Sequence, residues 1–569
     1  MSTATRERPS KVWRPLERRA SVLRRRADGL MCRAEVLVAP FRAPMGEPTP
    51  YVAHDPVIRK RLWHSAVTGS LGSVLILWGA SQPSSPFSVK STSPAAWFFG
   101  LRPAPSPIIG VTPPPGTNFY LSIVAFYVGM ALLMRAWIRL GRLAREHPGM
   151  PVRIYVLVMV AWTLPFLFVA PLLSRDAYSY VAQGEMMSYH ISPYRYGPYI
   201  LGTGANSYTR LTDGLWISTT SPYGPAFLGL AGVIQMLVNH SELGALVMFR
   251  VVALFGVALI GVFIPRLARS YGRDASAAFV FAVMNPIVLI HLIGGEHNDA
   301  LMLGLLVAGL ALARERHPVI GVILVALAGL VKVPALIGVV YIGWAWLGPG
   351  IDWRHRLKPL AKAGSIALVV MAGITQAVGL GWGWAKGLEN PDAVRSYLDP
   401  MTAVGLGLAK LVSAVGLGDL SHTLLTVTRS AGALAAGIIG VVLLWRSKGG
   451  ASSLRAIGLT MLVVVVLGPV MQPWYLAWGV VLLAPVAEGR LRAALVWLAL
   501  VVTLLGLGDA KYLVVELDQA NPLIVALGSA ALLAVLVVPL VPRVRKGIPI
   551  WRARRATAAE TREEVPAGL

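Results

Sequence analysis

One carboxylate of this chain stands where a long apolar run stops. The run 152–173 leads into "LLSRDAYSY", so Asp176 follows a segment long enough to cross a bilayer. Ionisable side chains at membrane depth cost about 2.5 to 3.5 kcal/mol each, and their presence points to function. Asp176 can serve as a general base towards a hydroxyl group. Its simpler role is that of a solvated helix end paired with Arg175.

Three other connections between apolar runs carry polar groups. The connection "GGEHND" is too short for an ordinary loop, and it contains Glu296, His297, Asn298 and Asp299. The turn "GLVKVPAL" leaves Lys332 as a single charge between two apolar helices. The turn "GPVMQPWYLAW" carries Gln472, Trp474, Tyr475 and Trp478. We expect these groups to converge with Asp176 on the outer side of a membrane.

The loop that begins at Asp176 supplies further candidates for substrate binding. These are Arg175, Tyr178, Glu185, His190 and Arg195. Each group also has a structural explanation: Lys332 can extend its charge to the interface, Asp299 can cap the next helix, and the aromatic rings can form an interfacial belt. The acidic groups and His297 offer ligands for a divalent metal. No H-x-x-x-H or E-x-x-H spacing supports that site, so a divalent metal is an alternative with weak support and no metal ligand is assigned.

The composition indicates a polytopic membrane protein. Of the 569 residues, 55% are hydrophobic and only 14% are charged, against about a quarter in soluble proteins. The net charge of +25 comes from short basic clusters between apolar runs, which is how topology is encoded, so we predict no binding of nucleic acid. The single cysteine, Cys32, excludes an intrachain disulfide framework and makes redox chemistry a poor candidate.

The apolar runs predict an all-α fold with fourteen transmembrane helices. They lie at 63–80, 118–138, 152–173, 244–265, 274–293, 299–313, 318–331, 333–348, 363–382, 424–445, 455–470, 474–487, 491–508 and 521–541. We interpret the run 222–238 as a helix in the membrane interface, because a further span there would place the basic "RLARSYGR" outside. Two arginines, Arg250 and Arg429, fall inside predicted spans.

This arrangement defines three regions of the chain. A basic and partly disordered tail, 1–62, precedes the transmembrane domain 63–541, and a second tail covers 542–569. Both tails are expected in the cytoplasm, where basic residues accumulate. The outer loops are 81–117, 174–243 and 383–423, and the last two contain enough polar and aromatic residues to form a site.

The motifs together resemble a known family. They follow the order "SRDAYSYVAQG", "SPYGP", "NPIVLIHLIGGEHNDALMLGL", "GLVKVPAL" and "QPWYLAWGV". This order resembles the actinobacterial polyprenol-phosphate-mannose-dependent alpha-1,6-mannosyltransferases of the GT-C glycosyltransferase superfamily, over residues 63–541. The resemblance implies a GT-C bundle with juxtamembrane helices in its outer loops, and a catalytic carboxylate at the position of Asp176. Many GT-C enzymes have two adjacent acidic residues there, whereas Arg175 precedes Asp176 here.

The resemblance also implies a reaction. Mannose would pass from polyprenyl-phosphate-mannose to an alpha-1,6-mannan on a mannosylated phosphatidylinositol lipid, at the outer face of the plasma membrane. Because phosphate is a good leaving group, one base suffices, whereas a glycosidase needs two carboxyl groups. Asp176 would deprotonate the acceptor hydroxyl, and attack opposite the phosphate would invert the donor. Lys332, or less surely Arg195, would neutralise the phosphate. An alternative role for Lys332 is to hold Asp299 in an ion pair.

Three other functions compete with this interpretation. A transferase for glucose or arabinose remains open, since no motif specifies the stereochemistry of a sugar hydroxyl. A transporter or lipid flippase would place polar groups near the bilayer midplane on broken, repeated helices. Here those groups lie at the outer ends, although Arg250 and Arg429 favour this class. A scaffold for the cell envelope would not need the compact "GEHND" turn.

Overall fold

A computed structural model describes residues 51–52, 55–82, 85–87, 117–202, 207–385, 399–414, 416–447 and 451–505. All regular structure in these ranges is helical, which confirms the all-α prediction for this part of the chain. The span predicted at 521–541, the tail 542–569, Cys32, and most of the tail 1–62 and of the loop 81–117 lie outside the described residues.

Eighteen α-helices lie in the described ranges. In chain order, α1 to α18 are Pro56–Ala80, Thr117–Glu146, Val152–Thr163, Asp176–Ser188, Ser207–Arg210, Gly214–Ile217, Pro225–Leu237, Glu242–Ser270, Ala275–Ala282, Asp299–Arg314, Pro318–Val331, Ile337–Ala345, Trp353–Val378, Pro400–Ala414, Ser421–Arg446, Ala451–Leu467, Leu476–Leu483 and Gly489–Leu505. Short 3-10 helices continue several of them, and Val288–Gly294 forms a π-helix. The helix predicted within 222–238 is observed as α7.

Several apolar helices are long enough to cross a bilayer, and the chain is a membrane protein. In the described part of the chain these are Tyr120–Glu146, Glu242–Ser270, Trp353–Val378 and Gly418–Arg446. A fifth arises if Val288–Gly294 and Asp299–Arg314, which meet at 113°, count as one broken span. The other predicted spans in these ranges include apolar helices of 10–17 residues, so the count of fourteen stays a prediction.

The ends of the helices follow from local sequence. Asp55, Ser241 and Asp274 cap α1, α8 and α9, since each side chain accepts a hydrogen bond from a backbone N–H of the first turn. Proline occupies the first position of α7 and α11, where its missing N–H costs nothing. These signals explain why the helices begin where they do, although the runs between them are almost continuously apolar.

Close helix packing positions the segment that contains "GGEHND". Helix α8 packs against α10, and α10 packs against α11. A Cβ atom on Gly256 of α8 would lie 2.3 Å from the carbonyl carbon of Ala300, so the two backbones touch at the start of α10. Helices α4 and α7 pack together beside this group.

The chain divides into two compact units. The larger unit comprises 44–487 and 497–535, and it contains all the residues of the candidate site described below. Of the smaller unit the structure describes only 488–496, where α18 begins.

Candidate active site

Asp176 is the first residue of α4, and its carboxylate faces the connection "GGEHND". The oxygen Oδ2 of Asp176 lies 3.4 Å from Nδ1 of His297. The ring of His297 is fully buried and stacks on Trp474, with 3.8 Å between the ring centroids and 19° between the planes. Asp176 keeps 14% of its side chain exposed, so the carboxylate is accessible while its neighbour is fixed. The convergence predicted from the sequence is therefore observed for these three residues.

A buried ion pair fixes the connection itself. Arg250 donates to Glu296 through one terminal nitrogen, and through the other to the carbonyl oxygens of Phe166 and Val169 at 2.5 and 2.6 Å. Glu296 has a φ of +58°, a left-handed conformation that a residue other than glycine adopts only where its surroundings hold it. The arginine inside a predicted span therefore holds Glu296 and the end of the preceding helical segment in place.

Lys332 meets Asp299 beside this connection. Its Nζ donates to both carboxylate oxygens of Asp299, at 3.0 and 2.9 Å. The Nε1 of Trp478 donates to the same carboxylate at 2.6 Å, across 179 positions of the chain. The ammonium group also lies 4.3 Å from the centroid of Tyr475, so that a cation–π contact covers another side of it. The second role considered for Lys332, an ion pair with Asp299, is the one that the structure contains.

The motif "SPYGP" brings α7 against Lys332. The N–H of Gly224 donates to the carbonyl oxygen of Val331 at 3.1 Å. A Cβ atom on Gly224 would lie 2.0 Å from the carbonyl oxygen of Leu330, so only glycine fits at this contact. The preceding residue, Tyr223, is buried next to Tyr180, with 5.1 Å between their rings. Burial raises the pKa of Tyr223 well above its ordinary value and the charge of Asp176 raises it further, so this hydroxyl keeps its proton.

Several buried polar atoms around Asp176 have no hydrogen-bond partner within the described ranges. They include both ring nitrogens of His291, Nε2 of His297, both side-chain polar atoms of Asn298, and Nε1 of Trp474. Nδ1 of His297 has the 3.4 Å contact with Asp176 but no hydrogen bond of good geometry. Buried polar groups in proteins are nearly always paired, and a concentration of unpaired ones next to a carboxylate is typical of a ligand site. These groups offer donors and acceptors to the hydroxyl groups of a sugar.

Not every predicted residue joins this cluster. Glu185 pairs with His240 at 2.9 Å, nine positions along α4 from Asp176, which is about 13 Å along a helix. His190 and Arg195 are exposed after the end of α4, and no described contact links them to the cluster. Gln472 lies directly before the 3-10 helix Pro473–Tyr475, where it is half-buried. The remaining two, Arg175 and Tyr178, flank Asp176 on either side in the chain, and Tyr178 is buried.

Most of the chain matches two family models of known proteins. Residues 66–348 match the model "Alpha-(1->6)-mannopyranosyltransferase, N-terminal domain", and 401–541 match "MptB C-terminal domain". An alpha-(1->6)-mannopyranosyltransferase A of Mycobacterium tuberculosis is 33% identical over 388 residues, covering 66% of this chain and 73% of the relative. The chain belongs to the alpha-(1->6)-mannopyranosyltransferase family. The resemblance inferred from the motifs is thereby confirmed.

Other members of the family show the same degree of similarity. A second alpha-(1->6)-mannopyranosyltransferase of Mycobacterium tuberculosis is 30% identical over 511 residues, which cover 79% of this chain and 84% of the relative. Alpha-(1->6)-mannopyranosyltransferase B of Corynebacterium glutamicum is 31% identical over 403 residues, covering 65% and 67% of the two chains. No solved structure matches the chain. Both matched regions contain residues of the cluster, with Asp176 to Lys332 in the first and Trp474 to Trp478 in the second.

The acidic side chains of the connection "GGEHND" are engaged by basic side chains. No group of three or more His, Cys, Asp or Glu side chains among them is placed to hold a metal ion. The reason is visible in the connection "GGEHND": Glu296 is paired with Arg250 and Asp299 with Lys332, which leaves His297 and Asp176 as the only pair.

Two residues that contribute to the site are not among those predicted from the sequence. Trp478 was recognised only as part of an outward turn, yet its position three residues after Tyr475 puts both rings on one helix face, stacked 4.6 Å apart. The second is Arg250, which from the sequence alone favours a transporter. A charged residue inside an apolar span often marks a functional region. Arg250 follows this rule, because its partner Glu296 lies in the connection "GGEHND".

Proposed function

We propose that this protein is an inverting mannosyltransferase in which Asp176 is the general base. The donor is polyprenyl-phosphate-mannose, and the acceptor is a growing alpha-1,6-mannan on a lipoglycan with a mannosylated phosphatidylinositol anchor. The observation that carries the proposal is the half-buried carboxylate of Asp176 beside His297, amid buried polar atoms that have no hydrogen-bond partner among the described residues. Membership of the alpha-(1->6)-mannopyranosyltransferase family supports the choice of sugar and linkage.

The proposed step needs one carboxylate. A hydroxyl oxygen of the acceptor attacks the anomeric carbon of the donor as its proton passes to Asp176. The bond from the anomeric carbon to the phosphate oxygen breaks, and the phosphate leaves with the electron pair and without protonation. Attack from the opposite face converts a beta-linked donor to an alpha-linked product. Trp474 and Tyr475 supply flat apolar faces on which sugar rings can stack.

The contacts of Lys332 redefine its part in this reaction. Two of its three N–H donors serve Asp299, so we propose that the lysine mainly fixes Asp299 and, through it, Trp478. The resulting surface of Tyr475 and Trp478 then forms one wall of the sugar site. For the phosphate we propose Arg175, which is next to Asp176 in the chain and half-buried. A planar guanidinium group matches the geometry of a phosphate.

The proposed location is the outer face of the plasma membrane. It rests on the positive-inside rule, which places the basic segments and both termini in the cytoplasm, and on a GT-C bundle with about 14 spans. In that topology Asp176, the connection "GGEHND" and Lys332 face outwards. The competing flippase loses the support of Arg250, because the buried charge of this residue is paired with Glu296 and bonded to backbone carbonyl oxygens.

One experiment distinguishes these functions. Purified full-length protein is incubated in detergent with radiolabelled polyprenyl-phosphate-mannose and a mannosylated phosphatidylinositol acceptor. We expect a labelled glycolipid as the product. An alpha-1,6-specific mannosidase should release labelled mannose from it. Omission of the acceptor should abolish that product. No transfer to any mannosylated lipid, together with movement of the labelled donor across proteoliposome membranes, would show a flippase instead.

A further inference from the structure

A cavity of about 580 Å³ lies at the opposite ends of the helices that carry the candidate active site. Its described lining includes the end of α8, the end of α10, the start of α11, the end of α12 and the start of α16. The N-terminal residue of α10 is Asp299, in the active-site cluster, and its last residue, Arg314, lines the cavity. Sixteen helical residues separate the two regions by about 24 Å, so the cavity is a different site.

The entrance of the cavity is positively charged. Arg314 and Arg316 both line it and both are exposed. The guanidinium of Arg314 lies 5.2 Å from the ring centroid of Tyr271, which orients it along the wall. No carboxylate occurs among the described lining residues, and the intervening Glu315 accepts hydrogen bonds from Arg266. The positive charge at the entrance is therefore not neutralised by a lining residue.

The interior combines apolar walls with one unpaired polar group. Leu454 and Ile457 are buried there, beside Tyr341, whose hydroxyl is already bonded to Thr460 at 2.9 Å. Ser453 is 8% exposed, and its hydroxyl has no hydrogen-bond partner in the part of the chain that is described. A buried hydroxyl without a partner favours a ligand that offers an oxygen or a proton at this point. The cavity thus has a cationic entrance, an apolar wall and a free hydroxyl group.

We propose that this cavity binds the phosphate-bearing headgroup of an anionic phospholipid, in the membrane leaflet opposite the candidate active site. Guanidinium groups bind phosphate through paired charge-assisted hydrogen bonds, and Ser453 supplies a further polar contact for the glycerol ester region. The volume falls within the range of about 300 to 1,000 Å³ of small-ligand sites. The apolar wall suits the first methylene groups of the acyl chains. Basic pockets between transmembrane helices commonly recognise lipid headgroups in this way.

Direct binding measurements on the full chain test the proposal. The detergent-purified protein is titrated with phosphatidylglycerol and, separately, with phosphatidylcholine, and bound lipid is counted by native mass spectrometry. We expect preference for phosphatidylglycerol, and about thirtyfold weaker binding to the variant Arg314→Gln with Arg316→Gln, which corresponds to about 2 kcal/mol. The matched control replaces two exposed arginines that do not line the cavity, Arg269→Gln with Arg354→Gln, and should change binding less than threefold.

Two further arms make every outcome decisive. Ser453→Leu fills the cavity without a change in charge, and we expect it to lower phosphatidylglycerol binding as strongly as the double arginine variant. Inorganic phosphate is tested as a competitor, and displacement of lipid by millimolar phosphate would identify a free phosphate site and overturn the lipid assignment. An equal loss of phosphatidylglycerol binding in the double variant and in its control would show that general surface charge causes the effect, and it would overturn the proposal. If the double variant fails to fold, Arg316→Gln alone, at an exposed side chain, decides between the same outcomes.

Discussion

Lys332→Met should destabilise the protein through Asp299. Both oxygens of that carboxylate accept from Nζ, at 3.0 and 2.9 Å, and the side chain of Asp299 has no exposed surface. Removal of one partner of a buried ion pair costs about 3 to 5 kcal/mol, because the other charge stays buried. The hydrogen bond from Trp478 survives in the variant, so we expect a loss near the lower end, about 3 kcal/mol.

A double-mutant cycle separates the ion pair from a direct contact with substrate. Asp299→Asn removes the charge but keeps an oxygen that can accept from Trp478, so Lys332→Met with Asp299→Asn should regain about 2 kcal/mol. The assay is chemical denaturation of the detergent-solubilised protein, with transfer and donor binding measured on the same samples. Lys358→Met, at an exposed lysine of α13, is the control and should stay within about 0.5 kcal/mol of the parent.

Two results for Lys332→Met would contradict this prediction. A loss below about 1 kcal/mol in Lys332→Met, with no recovery in the double variant, would mean that the pair with Asp299 does not stabilise this site. Unchanged stability together with lost donor binding would return Lys332 to the role first considered for it, neutralisation of the donor phosphate.

Three more perturbations test how the site is held and which way it faces. Arg250→Met should lower the free energy of unfolding, measured by chemical denaturation, by about 3 to 5 kcal/mol. Arg250→Lys should not restore this stability, because an ammonium group cannot reproduce the planar guanidinium that bonds to Glu296 and to two carbonyl oxygens. Gly224→Ala should lower the rate of transfer at least tenfold, because the added Cβ atom would lie 2.0 Å from the carbonyl oxygen of Leu330, and strain of about 1.4 kcal/mol corresponds to a factor of ten. The control Gly214→Ala, whose added Cβ atom meets nothing within 4 Å, should leave the rate of transfer unchanged. In a variant without Cys32, an impermeant thiol reagent on intact cells should label a cysteine at Ser218 and not one at His355; labelling at His355 would reverse the topology.

The sequence was informative wherever a chemical signal was local. The change from apolar to polar residues locates Asp176 and predicts that the preceding span ends there. In the structure the preceding helical segment ends at Phe168, and Asp176 begins the separate helix α4. The connection "GGEHND" stands out in the sequence because six residues cannot form an ordinary loop between two spans, and in the structure it forms the sharp bend between the π-helix Val288–Gly294 and α10. The pair of Lys332 and Asp299 was one of two roles considered, since both lie at the same ends of neighbouring helices.

Contacts between distant parts of the chain were not predictable from the sequence. Trp478 reaches Asp299 across 179 positions, and the stacking of Trp474 on His297 depends on how α17 packs. No pattern in either segment encodes that approach. Likewise, Glu185, His190 and Arg195 share a loop with Asp176, but the direction of α4 carries them away from it. The cavity near Arg314 arises from the ends of five helices, none of which signals it alone.

The central claim is that Asp176 removes the proton of the acceptor hydroxyl. Its most direct test compares single-turnover rates of mannose transfer for Asp176→Asn and Asp213→Asn at saturating acceptor, with donor binding measured separately. Asp213 lies in the same loop and caps α6 through the N–H of Leu215, a contact that asparagine preserves, so this variant controls for the chemical change itself. We predict that Asp176→Asn binds the donor normally and transfers about 10² to 10⁴ times more slowly, while Asp213→Asn is unaffected. A rate within a factor of ten of the parent in Asp176→Asn would contradict the account.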